Sequence, residues 1–216
     1  MRKRTAVVIG AETAVGKELV KELCSREEYA EVIALLYQRI EFEHSKLSKR
    51  LIDFRFLEAR HIGLVEDVFF CVQANDWKKG DYDPVKTAAA AKKCNIQQFI
   101  VISSMSANPR SLFRSGRMHG MMEEQLKQLA LPSLLIVRPS ILLNDPEEYK
   151  VSEAPAARLS SFAGWAMQGP LKSYKGIRAS QVALAMTEKA LTKDYPKYAI
   201  YKSGEIENIK RGENKT

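Results

Sequence analysis

Cysteine and histidine are scarce and scattered. The 216 residues hold three of each: Cys24, Cys71 and Cys94, none in a CxxC spacing, and His44, His61 and His119, none beside another. An odd, unclustered cysteine count gives no disulfide framework, and together with isolated histidines it gives no metal centre. The thiols read as small apolar residues of a reducing compartment. Long apolar runs are also missing. None approaches the roughly 20 residues that span a bilayer, so no membrane partner is expected. The stretch Thr5–Ile9 between Arg4 and Glu12 is too short for a signal-peptide core, which makes a cytoplasmic location the expectation. No paired Cys/His finger and no RNP-type aromatic motif is present, so nucleic acid is not the expected partner either.

What remains is an ordinary apolar fraction of 45% and a net charge of +8. The length suits one α/β domain. The charge is uneven: residues 1–108 hold 17 basic and 15 acidic side chains, and residues 109–216 hold 17 and 11. Arg110, Arg114 and Arg117 have no acid among them. Such a surface suits nucleic acid, anionic lipid or a phosphorylated small molecule, or serves simply as solubilising charge.

Strand-like and helix-like segments alternate. Short apolar runs predict strands over 5–9, 31–36, 65–72, 98–102 and 134–137, with a weaker one over 51–54. Val15, Leu19 and Leu23 lie four apart and predict a helix over 13–23. Further helices are predicted over 85–93, capped by Asp83 with Pro84 in its first turn, over 118–129 and over 181–191. Strands separated by helices imply right-handed crossovers and a doubly wound, mostly parallel sheet covered on both faces, three layers in a single domain. This domain is expected over 1–203, with a small substrate-side region at about 144–180 and a frayed polar tail over 204–216.

The strongest motif follows the first strand: Gly10-Ala11-Glu12-Thr13-Ala14-Val15-Gly16. A glycine at its start allows a tight turn and one at its end allows close helix–strand packing, while amides at the helix start can meet a phosphate. Glu12 stands where a second glycine might be, so the spacing is not the full GxGxxG; its position after a strand and before an amphipathic helix is what gives it weight.

This loop resembles the GATGxxG loop of the atypical short-chain dehydrogenases/reductases, in the NmrA-like branch. Other landmarks fall in that family's order: Asp53-Phe54 near the adenine, Phe70-Cys71-Val72-Gln73 along the cofactor, Val101-Ile102-Ser103-Ser104 at the fifth strand, and Arg138-Pro139-Ser140 after the sixth. The resemblance covers residues 4 to 192. It implies a Rossmann fold, a dinucleotide cofactor and a small-molecule substrate.

The departures are as informative. The family's catalytic Tyr-x-x-x-Lys is followed by Gly and then Glu, and here Gly120 and Glu123 set that register. Ser115 then stands at the tyrosine position and His119 at the lysine position. A phenol beside an ammonium makes proton transfer to a carbonyl feasible near neutrality. Ser115 is a poor replacement. His119 has three readings: proton donor, ribose ligand or partly exposed helix residue. Ser103 and Ser104 remain to orient a substrate oxygen. After the second strand the chain reads Leu36-Tyr37-Gln38-Arg39, with no acid for a ribose 2′-OH and with Arg39 available to a 2′-phosphate. NADP is therefore the expected cofactor, with NAD the alternative. Trp77 and Tyr82 fall where relatives cover the cofactor. Met105, Met118, Met121 and Met122 suit core packing or an apolar pocket. The apolar stretch Phe162–Met167 suits a lid or a homodimer contact. Two functions follow: an oxidoreductase-like protein with a degenerate site, or a dinucleotide-binding sensor working through a protein partner.

Overall fold

The computed structural model describes residues 3–140, 142–143 and 176–212. The substrate-side region and the Phe162–Met167 stretch lie outside the described residues. Among the described residues, nine strands and six helices run in chain order as β1 (Arg4–Ile9), α1 (Ala14–Cys24), β2 (Tyr29–Leu36), β3 (Leu47–Leu51), α2 (Ala59–Ile62), β4 (Asp67–Phe70), α3 (Pro84–Lys92), β5 (Gln98–Ile102), α4 (Arg114–Gln128), β6 (Leu134–Arg138), β7 (Leu142–Leu143), β8 (Ile177–Arg178), α5 (Ala179–Ala190), β9 (Tyr198–Lys202) and α6 (Ser203–Asn208). Seven strands form one sheet in the order β3-β2-β1-β4-β5-β6-β9. Every pairing in it is parallel. This is the doubly wound, three-layer arrangement expected from the alternation of strands and helices.

The central strands are apolar on both faces because helices cover both. Val8 and Phe69 pack with Val15, Leu19 and Leu23 of α1 and with Val182 and Met186 of α5. On the other face, Val7, Ile9, Phe70 and Val101 pack with Ala88 and Ala91 of α3 and with Met122 and Leu126 of α4. Burying such side chains contributes about 25 cal/mol per Å² of apolar surface, the main driving force for the sandwich.

Four expectations change. The third strand lies at Leu47–Leu51, not 51–54; Phe54–Phe56 forms a 3-10 turn capped by Asp53. The first is an edge strand that alternates with Lys49 and Arg50, so it lacks a continuous apolar run. α4 starts at Arg114, four residues before its apolar pattern. The strand over 65–72 shortens to Asp67–Phe70. The polar tail is ordered through Asn208: α6 buries Ile206, Ile209 follows it into the core, and the Gln181 amide donates to the Ile206 and Ile209 carbonyls.

Beneath the sheet, away from its C-terminal edge, Asp67 is fully buried. Its carboxylate accepts from Arg4 at 2.7 Å, from the Tyr29 hydroxyl at 2.7 Å and from the Gln98 amide at 3.2 Å. These bonds offset only part of the cost of burying the carboxyl, which burial raises to about pKa 7.

Candidate functional site

The strand order reverses between β1 and β4, and parallel sheets bind ligands at the carboxyl ends beside such a reversal. A cleft of about 860 Å³ opens there. Its floor is the turn from β1 into α1, where Glu12, Thr13, Ala14 and Val15 line the cavity. Gly10 sits at φ +81°, a conformation that favours glycine, and an added Cβ would meet Val72 Cγ2 at 2.4 Å. Gly16 packs so closely that a Cβ would lie 1.9 Å from the Gly10 carbonyl oxygen. Thr13 caps α1, its hydroxyl accepting from the Gly16 N–H at 3.1 Å and donating to the Gly10 carbonyl at 2.8 Å. Ala14 and Val15, the first helical residues, present N–H groups that have no acceptor within the helix. Amides without a helical acceptor at a positive dipole end fit a diphosphate.

The wall after β4 carries Cys71, Val72, Gln73 and Asn75, with Tyr82 closing one side. Trp77 donates its indole N–H to the Val72 carbonyl at 3.0 Å, which ties that loop to the strand end. Across the cleft lie Ser104, Met105, Ser106, Ser115, Pro139, Ser140 and Leu142. Of the residues singled out in the sequence, Glu12 through Val15, Cys71, Val72, Ser104, Ser115, Pro139 and Ser140 are thus brought together. Ala11, Gly10 and Gly16 shape the turn from beneath.

Others stand elsewhere. Ser103 is fully buried and donates to Glu123 at 2.5 Å. Arg138 also turns to Glu123, with its Nε 2.9 Å from Oε1 and a second bond through Nη2. The Glu123 hydrogen bond raises the pKa of the Arg138 guanidinium, which stays charged. Asp53 is paired with Arg55 and Phe54 packs against Tyr82 with centroids 4.4 Å apart and the rings tilted by 49°, and neither lines the cleft. Among the methionines, Met105 lines the cleft, Met122 is core and Met121 is exposed.

His119 is not a cleft residue. It is 1% exposed, packed edge-on against Trp77, and its Nε2 accepts from the Ala74 N–H at 3.3 Å. Nε2 as acceptor places the proton on Nδ1, and burial pulls the imidazole down to about pKa 4. Buried outside the cleft lining, this neutral ring does not face the space where a proton donor or a ribose ligand would act. A depressed folded-state pKa means that His119 stabilises the fold above pH 6.5 and that this is lost as pH falls toward 4. The loss is about 3 kcal/mol. Urea unfolding of His119→Gln, which keeps an acceptor for Ala74, is expected to show a flatter decline between pH 6.5 and 4.5 than the parent protein.

Reasoning from the sequence missed a second cavity. It has a volume of about 350 Å³, shares Glu12 and Gln38 with the cleft, and brings Lys17 and Lys21 of α1 beside Arg39. The two lysines lie on the solvent side of α1, where spacing alone marks them as surface charge.

No family profile matches the chain. It is 25% identical over 166 residues to protein HTATIP2 of Rattus norvegicus, an alignment covering 71% of this chain and 69% of that one. It is 27% identical over 140 residues to protein FMP52-1, mitochondrial, of Scheffersomyces stipitis, covering 63% and 62%. These relatives and the order of the motifs along the chain make it similar to the atypical short-chain dehydrogenases/reductases. It spans 49% of another relative, protein fmp52, mitochondrial, of Aspergillus clavatus, with 32% identity over 115 residues. Among solved structures, MoeE5 in complex with UDP-glucose and NAD superposes with a TM-score of 0.65 at 16% identity, over 94% of this chain and 79% of that one. The UDP-glucuronic acid 4-epimerase from Bacillus cereus in complex with NAD gives 0.64 at 12%, over 92% and 78%. At such identities the solved structures speak for the fold.

Proposed function

We propose that the chain binds NADP(H) across the C-terminal edge of its sheet and lacks tyrosine-dependent proton donation. The observation that carries this reading is the cationic cavity next to the cleft. Arg39, Lys17 and Lys21, against Glu12 and Glu41, line a space continuous in its walls with the phosphate-binding turn, and this excess of positive charge suits a 2′-phosphate beyond a diphosphate. Neighbours in fold that hold NAD at 0.64–0.65 TM-score support a dinucleotide in the same edge. A bound nicotinamide dinucleotide supplies or accepts a hydride. The protein's own residues do the rest: α1 amides hold the diphosphate, Tyr82 and Val72 exclude water, and Ser104 and Ser115 orient a substrate oxygen. Neither serine supplies an easily lost proton. A dinucleotide-binding sensor acting through a protein partner is the second reading, favoured by the neutral, buried His119 at the lysine position.

Calorimetric titration with NADP(H) and NAD(H), followed by NADPH oxidation with aldehydes, ketones and quinones, tests both. NADP(H) is expected to bind more tightly, with turnover roughly 10²–10⁴ below that of a site holding a general acid. Failure of every dinucleotide to bind would remove the proposal. A charge-assisted pair contributes about 1.5–3 kcal/mol, so Arg39→Ala is expected to weaken NADP binding roughly ten- to a hundredfold and to leave NAD nearly unchanged. Equal losses for the two nucleotides would place Arg39 outside the site.

A further inference from the structure

Glu12 is an acid in a turn built for an anion, and the proposed function leaves it unused. We propose that Glu12 must carry a proton for a dinucleotide to settle on the α1 N-terminus, so that binding takes up one proton at this carboxyl. The inference rests on the dinucleotide reading above and adds a condition to it.

Glu12 lies within the Gly10–Gly16 turn, one residue before the helix cap, and its side chain lines both the main cleft and the cationic cavity. One carboxyl oxygen accepts the Tyr82 hydroxyl. The other, Oε2, is buried with no hydrogen-bond partner. An ionised carboxylate with an unmet oxygen would face a diphosphate drawn to the same amides, two like charges in a poorly solvated place. Protonated, the same oxygen becomes a donor and can bond to a phosphate oxygen.

The groups around it do not remove the conflict. Lys17 and Lys21 approach from α1, and Arg39 and Glu41 from the segment after β2. Cys71, Asp76, Lys79 and Tyr82 approach from β4 and the loop that follows. Within this set Tyr82 alone is bonded to Glu12, Lys21 is paired with Glu18, and Lys79 with Asp76. Burial raises the free carboxyl to about pKa 7, so it changes charge near neutrality. A neighbouring diphosphate raises it further, and linkage then requires proton uptake on binding.

The test is calorimetric titration with NADP⁺ and with NAD⁺ at pH 6.5 and 8.5, in two buffers of different ionisation heat, for the parent protein and for Glu12→Gln. The amide keeps an acceptor for Tyr82 and leaves every other group in place. For the parent, Kd is expected to rise about twenty-fivefold from pH 6.5 to 8.5, beyond any change in the variant, with close to one proton taken up at pH 8.5. Glu12→Gln is expected to bind at both pH values about as tightly as the parent at pH 6.5. Proton release with tighter binding at high pH would overturn the inference, since an ionised Glu12 would then be accepting ribose hydroxyls. Identical pH slopes in the two proteins would overturn it as well. The parent's buffer dependence decides the point even where the variant folds poorly. Absence of binding by both proteins at both pH values would overturn the dinucleotide reading itself.

Discussion

Gly16→Val is expected to abolish dinucleotide binding and to lower the unfolding temperature by roughly 6–12 °C, the equivalent of about 3 kcal/mol in a domain of this size. The reason is geometric. The Cβ of any residue at position 16 falls 1.9 Å from the Gly10 carbonyl oxygen, 2.7 Å from its carbon and 2.8 Å from the Ala11 Cα. All three are backbone atoms of the turn, so no side chain can swing aside. α1 would have to lift from β1, and the Ala14 and Val15 amides would move with it. Gly204 provides the control: a Cβ there meets nothing within 4 Å, so Gly204→Ala in α6 is expected to be neutral or stabilising by up to about 1 kcal/mol. Calorimetry and thermal unfolding of the two variants read both effects. Retained binding in Gly16→Val would show that the turn tolerates displacement and that the phosphate site lies elsewhere.

Glu123→Ala is expected to cost about 3–5 kcal/mol, the loss that follows removal of one partner from a buried ion pair. Glu123 is 5% exposed and holds the Arg138 guanidinium through two bonds and the Ser103 hydroxyl through a third. It thereby ties α4 to the ends of β5 and β6, the strands that deliver Ser104 and Pro139 to the cleft. Truncation leaves a guanidinium that is 22% exposed and can recover only part of its solvation. Glu123→Gln, which keeps the shape and one acceptor, is expected to lose less. Chemical denaturation orders the two variants, and equal losses would show that the charge contributes nothing beyond the hydrogen bonds.

These residues also show what a sequence reveals and what it conceals. β1, β4, β5 and β6 were legible because strands buried on both faces are written as unbroken apolar runs such as Phe99-Ile100-Val101-Ile102. β9 was not, because Tyr198-Ala199-Ile200-Tyr201-Lys202 lies at an edge and is half exposed, with no run to mark it. The phosphate turn was legible because its demands are local: two glycines, a capping threonine and a helix start within seven residues. The family resemblance alone puts Arg138 and His119 at the site. Their actual partners, Glu123 fifteen positions away and Ala74 forty-five positions away, belong to tertiary packing. The buried oxygen of Glu12 is of the same kind, since its isolation depends on how Tyr82, seventy residues later, closes over it.

The pairing of α1 with α5 has a consequence for how the protein is made. Val15, Leu19 and Leu23 are covered partly by Val182 and Met186, which lie more than 150 residues further along the chain. At ribosomal speeds of about 5–20 residues per second, that apolar stripe waits on the order of ten to thirty seconds for its cover. β1 pairs with β2 early, but the strand on its other side, β4, starts almost sixty residues later. The nascent chain therefore presents an exposed greasy helix on a half-built sheet for most of its synthesis. Truncation before α5 is expected to yield a species that clings to chaperones, whereas the full chain, once α5 docks, has that surface sealed.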